Sequence, residues 1–251
     1  MLTNNGNVMF NRLTPSLKIF SGLILTYALL AAIGVFLPQN ELVPMQQLPL
    51  PKPLFALIMA VGILIIYGSF GFIGLSLSKK IGFPDVWDET HTSKQRFLIP
   101  AIAGFATGIF FVLIDIVLSK FHSLGHIPHP PFPMSLVATI SAGIGEEVMF
   151  RLFFISFWVW LISQVLLKGR GQSIIFWIVV VWSAIAFTAA HVPAVMYLFH
   201  LNSPTEIPVA LTLELFLGKN EAGILHSQWP EQSLLKKLIE PHSRENFDQP
   251  C

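Results

Sequence analysis

Apolar runs about as long as a bilayer is thick, broken by short polar stretches, set the pattern of this chain. A helix needs about 20 consecutive apolar residues to cross the hydrocarbon core. Residues 19–37, 54–78, 97–119 and 172–191 each meet that requirement. The run 134–167 is too long for one straight span, so a helix tilted or broken near Gly143 and Gly145, or one that extends past the bilayer, is expected there. A weaker sixth run, 194–217, contains Asn202, Ser203, Pro204 and Glu206 and reads as a single span or as two short pieces. The pattern predicts an all-α fold, a polytopic membrane helical bundle of about six transmembrane helices. Three regions follow: 1–94, with an N-terminal segment, two helices and a charged loop at Asp85–Arg96; a core at 95–230; and a polar tail at 231–251.

The loop charges orient the bundle. Lys and Arg concentrate on the cytoplasmic side of membrane proteins. Arg12, Lys18, Lys79, Lys80, Lys94, Arg96, Lys168, Arg170, Lys219, Lys236, Lys237 and Arg244 all fall on one side of the expected spans. The other side has Lys52 and Lys120, and Arg151 lies within a span. A cytoplasmic N-terminus and an even number of spans follow.

Composition narrows the function classes. Only 12% of residues are charged, about half the share of an ordinary globular domain, which marks an integral membrane protein. A net charge of +1 gives no sign of a nucleic-acid partner. Phenylalanine outnumbers tyrosine by 22 to 3, as suits lipid-facing helices. The single cysteine, Cys251, permits no intrachain disulfide and lacks the three following residues of a prenylation signal. The first apolar run is span-length and is expected to be a retained helix rather than a cleaved signal.

Within the 134–167 run stand Glu146, Glu147 and Arg151. An ionised side chain at bilayer depth costs roughly 2.5–3.5 kcal/mol on insertion scales, so these three must be paired, face a polar cavity or do chemistry. Glu147 and Arg151 are four apart and neighbours on one helix face, where pairing would neutralise both. Glu146 lies about 100° round the helix and has no such local partner. It is placed either as a general base, with water or a histidine for company, or as half of an interhelical polar clamp that does no chemistry. His191 ends the segment Phe187-Thr-Ala-Ala-His191, and the small residues Ala184, Ala186, Ala189 and Ala190 on its helix allow another helix to come close. His226, in His226-Ser-Gln-Trp-Pro230, would by itself read as a surface histidine.

Together these segments resemble the CPBP family of CaaX-protease and bacteriocin-processing membrane proteases, also called Abi proteins. Gly145–Arg151 matches the family's Glu-Glu-x-x-x-Arg motif, and Phe187–His191 matches its Phe-x-x-x-His. His226–Pro230 is similar to the third motif, but has Pro230 where the family has Asn or Asp. The resemblance covers roughly residues 95–230 and implies an intramembrane endopeptidase, a peptidase of the CaaX type. In it, Glu146 would activate a water with help from His191, and His226 would donate to the oxyanion. Glu147 and Arg151 would support the site, with Phe187 part of the second motif. Metal-free glutamate catalysis is the expectation; the alternative is a metalloprotease-like site in which Glu146, His191 and His226 hold zinc. The implied partners are a peptide or membrane-protein substrate, prenylated or otherwise, and the lipid bilayer, with the inner (plasma) membrane of a prokaryote as the expected location.

Pro230 argues for a rival. Proline has neither a side-chain donor nor a backbone N–H, and loss of one oxyanion donor costs about 100- to 1000-fold in rate. A catalytically weakened member acting as a bacteriocin-immunity or scaffold protein is therefore the alternative function; a transporter or channel is a third, opposed by polar residues gathering at one depth. His122, His126 and His129, crowded by prolines, read as a solvated loop. Asp115 and Glu214 are expected to hydrogen-bond across helices or to line the same cavity as Glu146.

Overall fold

The computed structural model describes residues 15–38, 50–83, 92–124, 130–213 and 216. Among them there is no strand, and five helices are long and apolar enough to cross a membrane. They are α1 (Pro15–Gly34), α2 (Lys52–Lys80), α3 (Ile99–Leu118), α4 (Met134–Leu166) and α5 (Gln172–Leu198). The fold is a polytopic helical bundle, and α4 is its centre: α1, α2 and α5 all pack against it.

Over its described residues the sixth run is two helical pieces, the second of its two expected forms. α5 continues through Pro193 to Leu198 and absorbs the start of the 194–217 run. The proline removes one backbone donor from the ladder, yet most of the helix is already held by its buried face before it arrives. The chain then leaves the α-helix, makes a short 3-10 turn at Pro204–Glu206, and resumes helical structure at 209–213. The polar residues that weakened the apolar run, Asn202 to Glu206, are those that interrupt it: Glu206 accepts the backbone N–H of Asn202, and Ser203 caps Thr205. Glu214 lies outside the described residues.

α4 is unbroken at Gly143 and Gly145, so of the expected alternatives the break is not the one taken. Its 33 residues are accommodated as one element about 50 Å long, longer than the hydrocarbon core. The irregularity comes later and is of another kind. The helix is α-helical over Met134–Glu146, π-helical over Glu147–Ile155, α-helical again over Ser156–Val159 and π-helical over Trp160–Leu166. Glycine lowers helix propensity but keeps its backbone donor, so it does not interrupt the ladder. π-turns inside α-helices are frequent at functional sites, and this one begins at the second glutamate of the pair.

Close packing holds the wide segment. A Cβ at Gly74 on α2 would lie 2.5 Å from the Leu152 carbonyl oxygen and 2.8 Å from the Phe153 Cα, so the two backbones touch directly. On the α5 side the Ser183 hydroxyl donates to the Phe150 carbonyl at 3.1 Å, satisfying a backbone acceptor within the π segment. Phe20, Ile24 and Val148 form one buried cluster, and Ile81, Ile155, Val159, Ile175, Phe176, Val179 and Val180 form a second. Beyond the second cluster, Gln172 donates to the Ile81 carbonyl at 2.7 Å and accepts from Gln164 at 2.9 Å, tying together the ends of α2, α4 and α5. α3, by contrast, has no buried residue.

Candidate active site

The face that α5 turns to α4 is narrower than the run of alanines suggested. Ser183, Ala184, Phe187 and Thr188 are buried, whereas Ala189 and Ala190 are exposed. This spacing carries Phe187 and, one turn on, His191 to the α4 helix at the point where its two glutamates lie. Phe187 packs edge-to-face on Phe150, with ring centroids 5.3 Å apart, and lies under the His191 ring at 4.0 Å.

His191 is fixed from two directions. Its Nδ1 is 2.9 Å from the Phe187 carbonyl oxygen. A carbonyl only accepts, so Nδ1 carries the proton and, in the neutral ring, Nε2 is left as an acceptor. That Nε2 faces the Glu146 carboxylate, with 3.7 Å between Nε2 and Oε1. The separation exceeds a direct hydrogen bond and is of the kind that a shared water closes.

The two glutamates part company. Glu147 turns to Arg151 and forms an ion pair with its guanidinium, which leaves Glu146 as the carboxylate facing the cavity. That cavity, of about 220 Å³, is lined by Tyr27, Tyr67, Ala142, Gly145, Glu146, Met149, Phe150 and His191. Liquid water takes up about 30 Å³ per molecule, so there is room for several. Tyr27 and Tyr67 meet edge-to-face with centroids 5.0 Å apart and are joined by a hydrogen bond between their hydroxyls.

A family model described as Type II CAAX prenyl endopeptidase Rce1-like matches residues 128–219. This part of the chain is similar to the CAAX protease family. The matched segment contains Glu146, Glu147, Arg151, Phe187 and His191 and ends before His226. With five helices long and apolar enough to cross a membrane among its described residues, the chain is an integral membrane protein. No curated protein and no solved structure matches it.

Of the residues singled out in the sequence, the fold brings Glu146, His191 and Phe187 together and pairs Glu147 with Arg151. His226, Pro230, His126 and His129 lie outside the described residues. Asp115 sits on α3 and is not among the residues lining the cavity, which removes one of its two expected placements. Among the described residues no group of three His, Cys, Asp or Glu side chains could hold a metal ion. A zinc site of the expected composition would draw Glu146 and His191 from these helices and its third ligand from His226. Two donors do not by themselves make the three-ligand set of a catalytic zinc. The sequence reading missed Tyr27 and Tyr67. Their signal was present as rarity, since two of only three tyrosines in a chain with 22 phenylalanines meet at this cavity.

Proposed function

We propose that the protein is an intramembrane endopeptidase in which Glu146 activates water for attack on a peptide bond of a membrane-associated substrate. The observation that carries this reading is the His191–Glu146 juxtaposition, with 3.7 Å between Nε2 and Oε1, at the edge of a cavity between apolar helices. A water held there can direct one O–H to the Glu146 carboxylate and the other to His191 Nε2. Its lone pair is then free to face a substrate carbonyl. Glu146 takes the proton as the C–O bond forms, and the carbonyl electron pair moves onto oxygen. When the tetrahedral intermediate collapses, the C–N bond breaks and the proton held by Glu146 passes to the leaving nitrogen.

The tautomer supports these roles. With Nδ1–H committed to the Phe187 carbonyl, His191 accepts from the water and orients it, leaving proton abstraction to the carboxylate. Glu147 and Arg151 neutralise one another and keep the second charge of the motif out of the reaction. His226, by the family resemblance, would add a donor to the oxyanion. The family description points to prenylated peptides as a substrate class, and the inner (plasma) membrane of a prokaryote is the location we propose.

The test is cleavage of a panel of quenched fluorescent peptides, with and without a prenyl group, by protein in nanodiscs. Wild type should cleave at least one, and Glu146→Gln and His191→Ala should lose that activity while melting at the wild-type temperature. An active Glu146→Gln overturns the reading. Equal performance of wild type and Glu146→Gln in cells, with no peptide cleaved, favours the immunity or scaffold function instead.

A further inference from the structure

An anion that develops on a carbonyl oxygen needs hydrogen-bond donors already in position, and in acyl transfer these are backbone N–H groups or side chains including tyrosine. The described lining of the cavity supplies few. Ala142, Gly145, Met149 and Phe150 offer no polar side chain, Glu146 as the base is an acceptor, and His191 has its one N–H committed to Phe187. The remaining side-chain donors in that lining are the hydroxyls of Tyr27 and Tyr67, which hydrogen-bond to one another and so leave one O–H of the pair for a ligand.

We propose that Tyr27, brought in by α1 and braced by Tyr67 of α2, is a catalytic oxyanion donor of this cavity. The inference rests on the peptidase reading of Glu146 and His191. One observation favours Tyr27 over Tyr67, and two more hold for the pair. Its hydroxyl and ring edge fill the space above Gly145, both 2.9 Å from where a Cβ would stand, and Gly145 immediately precedes Glu146 in the chain. The edge-to-face contact with Tyr67 at 5.0 Å fixes the plane of its ring. A phenol is also costly to place among transmembrane helices unless its O–H meets a polar group, and phenylalanine fills the corresponding need elsewhere in this chain. The donor thus comes from the first two helices, outside the segment 128–219 that the family model matches. It also supplies a hydroxyl to a site whose third motif carries Pro230 instead of a polar side chain.

The experiment compares wild type, Tyr27→Phe, Tyr67→Phe and Glu146→Gln on whichever peptide of the panel wild type cleaves, with kcat and KM measured separately. Phenylalanine keeps the ring on Gly145 and against the partner tyrosine, so the melting temperatures should agree. Tyr27→Phe should lower kcat by about 100-fold or more with KM unchanged, as expected for loss of one oxyanion donor. Tyr67→Phe should lose less than about 10-fold, and Glu146→Gln should be inactive. If Glu146→Gln is inactive but Tyr27→Phe keeps its kcat, changes KM alone, or is matched by Tyr67→Phe, the donor assignment is overturned and the peptidase reading stands. If Glu146→Gln cleaves as well as wild type, or wild type cleaves nothing, the peptidase reading fails and the inference fails with it.

Discussion

Gly145 and Tyr27 occupy one space: a Cβ on the glycine would lie 2.9 Å from both the ring edge and the hydroxyl oxygen of the tyrosine. The contact joins α1 to α4 one residue before Glu146. The glycine that looked like a helix breaker is therefore a seat for a side chain from another helix.

Gly145→Ala should displace Tyr27 and lower activity at least about 10-fold, with a stability loss of about 1–3 kcal/mol from overpacking. Gly143→Ala, which meets nothing within 4 Å, is the control and should leave both unchanged. Peptide cleavage and thermal melting of the two variants decide the matter. Equal behaviour of both would remove the seat from the account.

Gly74 should be less forgiving. The atom its Cβ would meet belongs to the backbone of the π segment, the Leu152 carbonyl at 2.5 Å, and cannot swing aside as a side chain can. Gly74→Ala should cost about 1–3 kcal/mol or more and lower the melting temperature. Gly62→Ala, on the same helix and with open space around it, should not.

The Glu147–Arg151 pair predicts a double-mutant cycle. Glu147→Gln leaves the guanidinium without its carboxylate, and the partly exposed position limits the cost to about 1–3 kcal/mol. Adding Arg151→Met removes the stranded charge and should recover most of the stability, with kcat near wild type, because the pair faces away from the cavity. Denaturation of both single variants and the double variant gives the coupling. Strictly additive losses would mean that the pair does not hold the segment.

Ser183→Ala deletes the hydroxyl that satisfies the Phe150 carbonyl. The expected loss is about 1 kcal/mol, the net worth of one hydrogen bond, with kcat and KM preserved. A large fall in kcat without unfolding would show that the π geometry itself tunes the site.

Much was legible along the chain. Runs of apolar residues report spans because a bilayer offers backbone groups no partner but their own helix, and that demand is local. Three charges inside such a run had to be explained, and the i, i+4 spacing of Glu147 and Arg151 already named their pairing. The Glu-Glu-x-x-x-Arg and Phe-x-x-x-His segments pointed to the site because each lies within one turn or two of helix. What the chain alone left open depended on which helices meet. Gly145 could be a break or a seat until α1 supplied Tyr27. The alanines of α5 could face either way until burial chose Ser183, Ala184 and Phe187. The π segment follows from contacts with Gly74 on one side and Ser183 on the other. Asp115 could share the cavity of Glu146 or bond elsewhere, and the packing left it out of the cavity lining. Composition and spacing determine what must be buried and what must be paired. Which partner does the burying is a long-range choice between surfaces, and the tertiary structure made it.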